Sequence, residues 1–411
     1  MKILLATSSV TPNSGIPSYN RELCLLYGKD NDMHLLVDEN IKSYNGYSKV
    51  FSTSKINVYN YSDCRDLVDK LNAERYDVII NSNSHVMSIL APYMCDSSRI
   101  ISVSHSLRTM DSDNAAFNHK YLDGIIALSE NCKSYLRNRF DVNKQKIHVV
   151  FNSVANFPNS ELICTEKKQS KELSIVFAGG TAPSKNPEIA LNVLIKLLKS
   201  DKNFKFYWMG NLTPPLKKLQ PFKSVQDILE NELINDKRVI FTGRIPQQEA
   251  VRIISKCNIF FAPSRREGFP MALLEAFRTG CIPIVADYDI ANKEIIKDSV
   301  NGFIISHSHV ELFSKRIFDI IDNHENYSTI YDQTYRTFVD ELSFPHWQRK
   351  MDLLLKDVTM NHAKRKLLNN KIVFFANKIR FLMLYSWDFI ENLLIEVLPC
   401  AYKFYRMYKN K

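Results

Sequence analysis

Short apolar runs alternate with longer stretches of helical period along most of this chain, and they do so in two separate series. In the first, residues 2–6, 34–37, 76–81, 99–104 and 124–128 read as buried strands, with helices over 16–27, 64–74 and 129–139. The alternation is the β-α-β rhythm of a parallel, doubly wound sheet. It lapses near Asn152, and residues 156–174, with Pro158 and the charged run Glu166-Lys167-Lys168, read as a linker. A second series follows, with strands over 174–178, 204–209, 238–242, 259–262 and 282–286. The expected fold class is therefore α/β, two Rossmann-like domains facing a central cleft at the carboxyl ends of their strands, where open α/β folds bind ligands. The 411 residues suffice for two or three domains.

Composition narrows the function classes. With 45% hydrophobic and 24% charged residues the chain is ordinary globular material, which excludes a disordered or collagenous protein. Eight scattered cysteines form no C-x-x-C pair, so a reduced, cytoplasmic setting is expected. Met1-Lys2-Ile3-Leu4-Leu5-Ala6 turns polar at Thr7 and reads as a first strand, too short for a signal peptide. No uncharged apolar run approaches the roughly 18–20 residues that span a bilayer. The net charge of +10 is concentrated in residues 358–411, which hold ten basic and three acidic side chains. The nearly balanced body argues against a nucleic-acid surface. No D-x-D motif sits at a strand end and no H-E-x-x-H occurs, and His307-Ser308-His309 reads as an exposed turn, so neither metal nor cofactor is expected.

The segment from Ile259 to Gly280 carries the most chemistry. A buried strand ends at Pro263-Ser264, a charged turn follows, and Pro270 suits the first position of a helix that Gly280 can stop. Glu267 precedes that helix and Glu275 lies inside it. Amides at the helix start favour a phosphate, while carboxylates beside an anion site suit neutral hydroxyl groups. The combination points to a nucleotide sugar.

Glu267 and Glu275, with seven residues between them, resemble the E-x7-E signature of retaining glycosyltransferases of family 4, with the GT-B fold. Val239-Ile240-Phe241-Thr242-Gly243-Arg244, Ile282-Pro283-Ile284-Val285-Ala286, Glu294-Ile295-Ile296 and Asn301-Gly302-Phe303 follow in the family's order, as do Ser14-Gly15, His105 and Ser129 in the first half. The resemblance implies that Glu275 holds the donor ribose and Glu267 the transferred sugar. Backbone groups of Gly268, Phe269 and Met271 would contact sugar and phosphate. His105, with Glu267, would stand at the reacting end of the donor. Gly15, Arg244 and Ile245 join the donor-binding set, and Arg108 is a weaker acceptor- or phosphate-side candidate.

A second loop, Gly179-Gly180-Thr181-Ala182-Pro183-Ser184-Lys185-Asn186-Pro187, joins a strand to a helix that Asn186 can cap and Pro187 can begin. Glycines admit an anion close to the backbone, and Lys185 can neutralise a diphosphate. Members of the family carry an Arg where this chain has Gly180, so one cationic contact is missing and Arg244 is the candidate to compensate.

No side-chain nucleophile emerges, and the resemblance implies same-face displacement in which the leaving diphosphate helps deprotonate the acceptor. The domains implied are an acceptor-binding domain over 1–155, completed by a crossing helix near 343–357, a nucleotide-sugar domain over 156–342, and a tail over 358–411. Ten aromatics among the ten basic residues of that tail suit an anionic membrane surface, with a helical hairpin packed on the body or on a partner as the alternative. The expected function is transfer of a sugar from a nucleotide-sugar donor to a glycan acceptor, lipid-linked, in bacterial surface polysaccharide assembly at the cytoplasmic face of the membrane. A nucleotide-sugar epimerase of similar fold and a bilobed sugar-binding protein remain as alternatives.

Overall fold

A computed structural model describes residues 1–8, 10, 15–38, 64–106, 109–211, 236–265, 269–287, 292–306, 309–360 and 379. The chain divides into two compact units, one formed by Met1–Phe151 with the chain from Gln348 onward, the other by Asn152–Trp347.

The first unit is built on six parallel strands: β1 (Lys2–Thr7), β2 (Asp32–Val37), β3 (Val78–Ser82), β4 (Arg99–Ser104), β5 (Gly124–Ala127) and β6 (Ile147–Val149), in the order β2-β1-β3-β4-β5-β6. Ile3, Leu4, Leu5, Ile79, Ile80, Ile100, Ile101, Ile125 and Ile126 are all fully buried. Adjacent residues point to opposite faces of a strand, so this continuous burial means that both faces of the sheet are covered, and the strands read as unbroken apolar runs. The helix Phe344–Met360 contributes to this unit from Gln348, where Asp352 accepts a hydrogen bond from the Tyr27 hydroxyl at 3.1 Å and the Lys350 ammonium lies over the Phe151 ring.

The second unit repeats the plan with β7 (Leu173–Ala178), β8 (Phe204–Met209), β9 (Val239–Gly243), β10 (Ile259–Ala262), β11 (Ile282–Ala286) and β12 (Phe303–Ile305), in the order β12-β11-β10-β7-β8-β9. Its core is aromatic. Phe177 meets Trp208 edge-on at 4.7 Å between centroids, and Phe261 meets Phe313 at 5.4 Å.

In both units the first strand is flanked on its two sides by later strands, β1 between β2 and β3, β7 between β8 and β10. These are the switch points at which the loops leaving the carboxyl ends diverge and open a crevice.

Three expectations need correction. Residues 156–174 are not a plain linker: Ser160–Lys168 is a helix of the second unit that buries Cys164 and Lys167. Its charged run misleads because the Lys167 ammonium is an internal donor, bound to the Thr279 carbonyl and hydroxyl at 3.0 Å each. Asn186 occupies the cap position of helix Pro187–Leu198, yet its backbone is left-handed and its side chain makes no capping bond. Pro270 likewise is the cap of helix Met271–Phe277, one position before the first turn.

Candidate active site

In the second unit the loops after β7 and β10 leave the sheet on either side of the switch point. They are tied together by the Arg265 amide, which donates to the Ser184 carbonyl at 2.8 Å, and by the Arg265 guanidinium, 3.3 Å from Glu188. Lys185 closes the short turn Pro183–Lys185 and lines a small cavity with Ser264, Pro270 and Asn292. The sequence-derived cation and the start of the helix bearing Glu275 thus stand at one place.

The glycines of the first loop are dictated by packing. A Cβ on Gly179 would lie 2.6 Å from the Phe177 ring and 2.7 Å from the Lys185 stem, so the absent side chain lets that stem lie against the strand end. Gly180 has φ +55°, and a Cβ there would come within 2.4 Å of the Asn211 carbonyl. The Gly179 and Gly180 amides both donate to the Met209 carbonyl, Thr181 donates to Asn211, and the Trp208 indole donates to the Gly180 carbonyl at 3.1 Å. Position 180 is therefore closed by backbone on the β8 side. Gly180 is required by this loop and is more than an arginine with its side chain removed.

Glu275 is 6% exposed, and the Gln247 amide approaches its Oε1 at 3.4 Å. Gln247 opens the helix Gln247–Lys256, which follows Arg244 and Ile245 at the end of β9. Sequence reasoning missed Gln247, whose only signal is its place in the first turn after a strand end. Arg244 is exposed and Ile245 half-buried, next to Gly243, whose φ of +61° turns the chain while its carbonyl accepts from Gly210. The side chains of Phe269 and Met271 are buried, and the Phe269 carbonyl accepts from Asn152, so what these two can offer a ligand is backbone. Glu267 and Gly268 lie outside the described residues, as do Ser14, Arg108, His307 and Ser308 and, apart from Ile379, everything beyond Met360.

In the first unit Gly15 begins the helix Gly15–Tyr27 and has open space on its Cβ side. From this helix Asn20, fully buried, donates to the Thr7 hydroxyl at 3.0 Å and ties the helix to the end of β1. His105 follows β4 and is nearly buried. Its Nε2 lies 2.8 Å from the Ser82 hydroxyl at the end of β3, and Tyr19 packs edge-on against the ring. Burial holds the imidazole pKa down to about 3, so it is neutral at physiological pH. Ser82 and Tyr19 carried no sequence signal for this pairing.

Family models match consecutive stretches of the chain: Glycosyltransferase Family 4 over residues 15–155 and Glycosyl transferases group 1 over residues 160–337. The chain belongs to the GT-B glycosyltransferases of the family 4 type. Among curated proteins it is similar to an uncharacterized glycosyltransferase of Methanocaldococcus jannaschii, 27% identical over 51% of this chain and 52% of that protein. It also resembles an Escherichia coli UDP-Gal:alpha-D-GlcNAc-diphosphoundecaprenol alpha-1,3-galactosyltransferase, 26% identical over 31% of this chain and 39% of that protein. The match to the first of these relatives spans about half its length. The fold resembles that of Anabaena HepE, crystallised with UDP and glucose, at TM-score 0.68 and 16% identity over 87% of this chain and 99% of the other. Among the described residues of the family-4-type chain, no helix is long and apolar enough to cross a membrane.

Proposed function

We propose that this chain is a metal-independent, retaining glycosyltransferase that moves a sugar from a nucleotide-sugar donor to a lipid-linked glycan during bacterial surface polysaccharide assembly at the cytoplasmic face of the membrane. The observation that carries the reading is the pairing, at one switch point, of a cation and a polar-held carboxylate: Lys185 beside the helix start at Pro270, and Glu275 held by Gln247. Lys185 and the amides at the helix start suit a diphosphate, and Glu275 suits the ribose hydroxyls. The crystallisation of a structural neighbour with UDP and glucose supports a nucleotide-sugar donor, and the E. coli relative's diphosphoundecaprenol substrate supports a lipid-linked acceptor.

In this reading the leaving diphosphate takes the acceptor proton as the new bond forms on the same face, with Glu267 on the transferred sugar. His105, kept neutral by burial, contributes a dipole and not a charge to the oxocarbenium-like state. Arg244, at the end of β9, is the second cation for the diphosphate. The basic aromatic tail holds the enzyme on anionic lipid.

Incubation with a panel of nucleoside diphosphates and their sugars tests the reading. A nucleotide sugar at 100 times its Kd stabilises the fold by about 2.7 kcal/mol. With an acceptor present, the product anomer then reports retention, and activity surviving in excess chelator reports metal independence. Absence of both stabilisation and donor turnover across the panel removes the proposal.

A further inference from the structure

At the opposite edge of the second sheet lies a cavity of about 510 Å³, within the size range of small-molecule sites. Asn258, which immediately precedes β10, forms part of its wall, placing it at the amino ends of the strands, whereas Lys185 and the Pro270 helix start are at the carboxyl ends. Phe157 and Ile163 give it an apolar side. Its charged lining is three cations, Lys167, Arg252 and Lys256, against one carboxylate, Glu166.

Lys167 is the unusual member. It is 4% exposed, and its ammonium is bound only to the two neutral oxygens of Thr279, with no carboxylate partner among the described residues. An ammonium removed from water without a counter-ion is costly, and burial accordingly lowers its pKa. The head groups of Arg252 and Lys256, both exposed, likewise have no hydrogen-bond or ion-pair partner among the described residues. Arg252 and Lys256, with unpartnered head groups, thus line one cavity together with Lys167, a buried lysine that lacks the opposite charge that would offset its desolvation.

We propose that this cavity is an anion-binding site, separate from the nucleotide-sugar site, that takes a phosphate-bearing molecule with its apolar part against Phe157 and Ile163. Arg252 and Lys256 approach the phosphate from the rim, where a guanidinium fork and a mobile ammonium suit its oxygens. Lys167, whose ammonium is bound to Thr279, adds positive charge behind the wall. The occupant would touch the far end of the helix whose first residue, Gln247, contacts Glu275.

The test is thermal unfolding of the full chain in chloride, inorganic phosphate and glycerol 3-phosphate at constant ionic strength. A rise in Tm of about 2–4 °C is expected in either phosphate. The rise should persist in Lys185→Ala and vanish in the double variant Arg252→Glu/Lys256→Glu, whose changes are at exposed positions. No rise in the parent protein, an equal rise in the double variant, or loss of the rise in Lys185→Ala overturns the proposal. A second arm, sedimentation with phosphatidylglycerol vesicles, identifies the source of the phosphate. Weaker sedimentation of the double variant assigns a lipid headgroup, and unchanged sedimentation together with the Tm rise assigns a soluble phosphate ester.

Discussion

The two units share a plan and differ at the edge that matters. Each is a six-stranded parallel sheet with its switch point beside the first strand. At the first unit's edge, the described groups are neutral or internally matched: Thr7 with Asn20, Ser82 with His105, and Asp38 accepting from the Ser84 hydroxyl and the His85 amide. At the second unit's edge charge is placed where the chain leaves the sheet, with Lys185, Arg244 and Arg265 in the segments after β7, β9 and β10 and Glu275 in the helix that follows β10. A neutral hydrogen-bonding rim suits hydroxylated ligands, whereas a rim combining cations with a carboxylate suits a molecule that is part phosphate and part sugar. One topology can thus carry two chemically different rims through the residues of its loops.

That contrast can be broken by experiment. If the charged edge binds the donor, Glu275→Ala should lower kcat/KM at least about 100-fold, roughly 2.7 kcal/mol of transition-state stabilisation. A change under threefold would detach Glu275 from the donor. Restoring the family arginine should not help. Gly180→Arg forces a side chain into a left-handed backbone already closed by Asn211, and chemical denaturation should report a loss of about 2 kcal/mol. A stable, more active variant would mean that the loop opens. Lys185→Ala should raise the donor KM or lower kcat at least tenfold, about 1.4 kcal/mol.

The smallest effect sharpens the neutral side. Because His105 is held at a pKa of about 3 against its ordinary 6.5, the unfolded chain binds a proton between those values that the native state refuses. Its contribution to stability is therefore complete above about pH 6.5 and is lost as pH falls toward 3. His105→Gln should flatten the stability-pH slope in that window by less than one proton. An unchanged slope would show that the ring is not held neutral by burial.

The sheets were legible because parallel strands buried on both faces leave unbroken apolar runs, and ten of the twelve strands stand within two residues of where those runs place them. The other two, β6 and β12, are three residues each at a sheet margin, too short for a run to stand out. The candidate site was legible as residues of a suitable chemistry after strand ends, Lys185 in a loop and Glu275 in a helix. What escaped was their support. Gln247, the Ser184–Arg265 bond and the Ser82–His105 pair are long-range contacts between polar residues that have no periodicity to betray them. Lys167 escaped for a related reason, since a lysine within a charged run gives no local hint that its ammonium is buried.

The indole bond from Trp208 to the Gly180 carbonyl gives the enzyme an intrinsic spectroscopic probe. Only three tryptophans occur in the chain. Replacing Trp347 and Trp387 with phenylalanine would leave an emitter whose N–H is bonded to the very turn proposed to receive the diphosphate. Its fluorescence wavelength and lifetime would then follow that turn in real time, without a label and without an acceptor substrate.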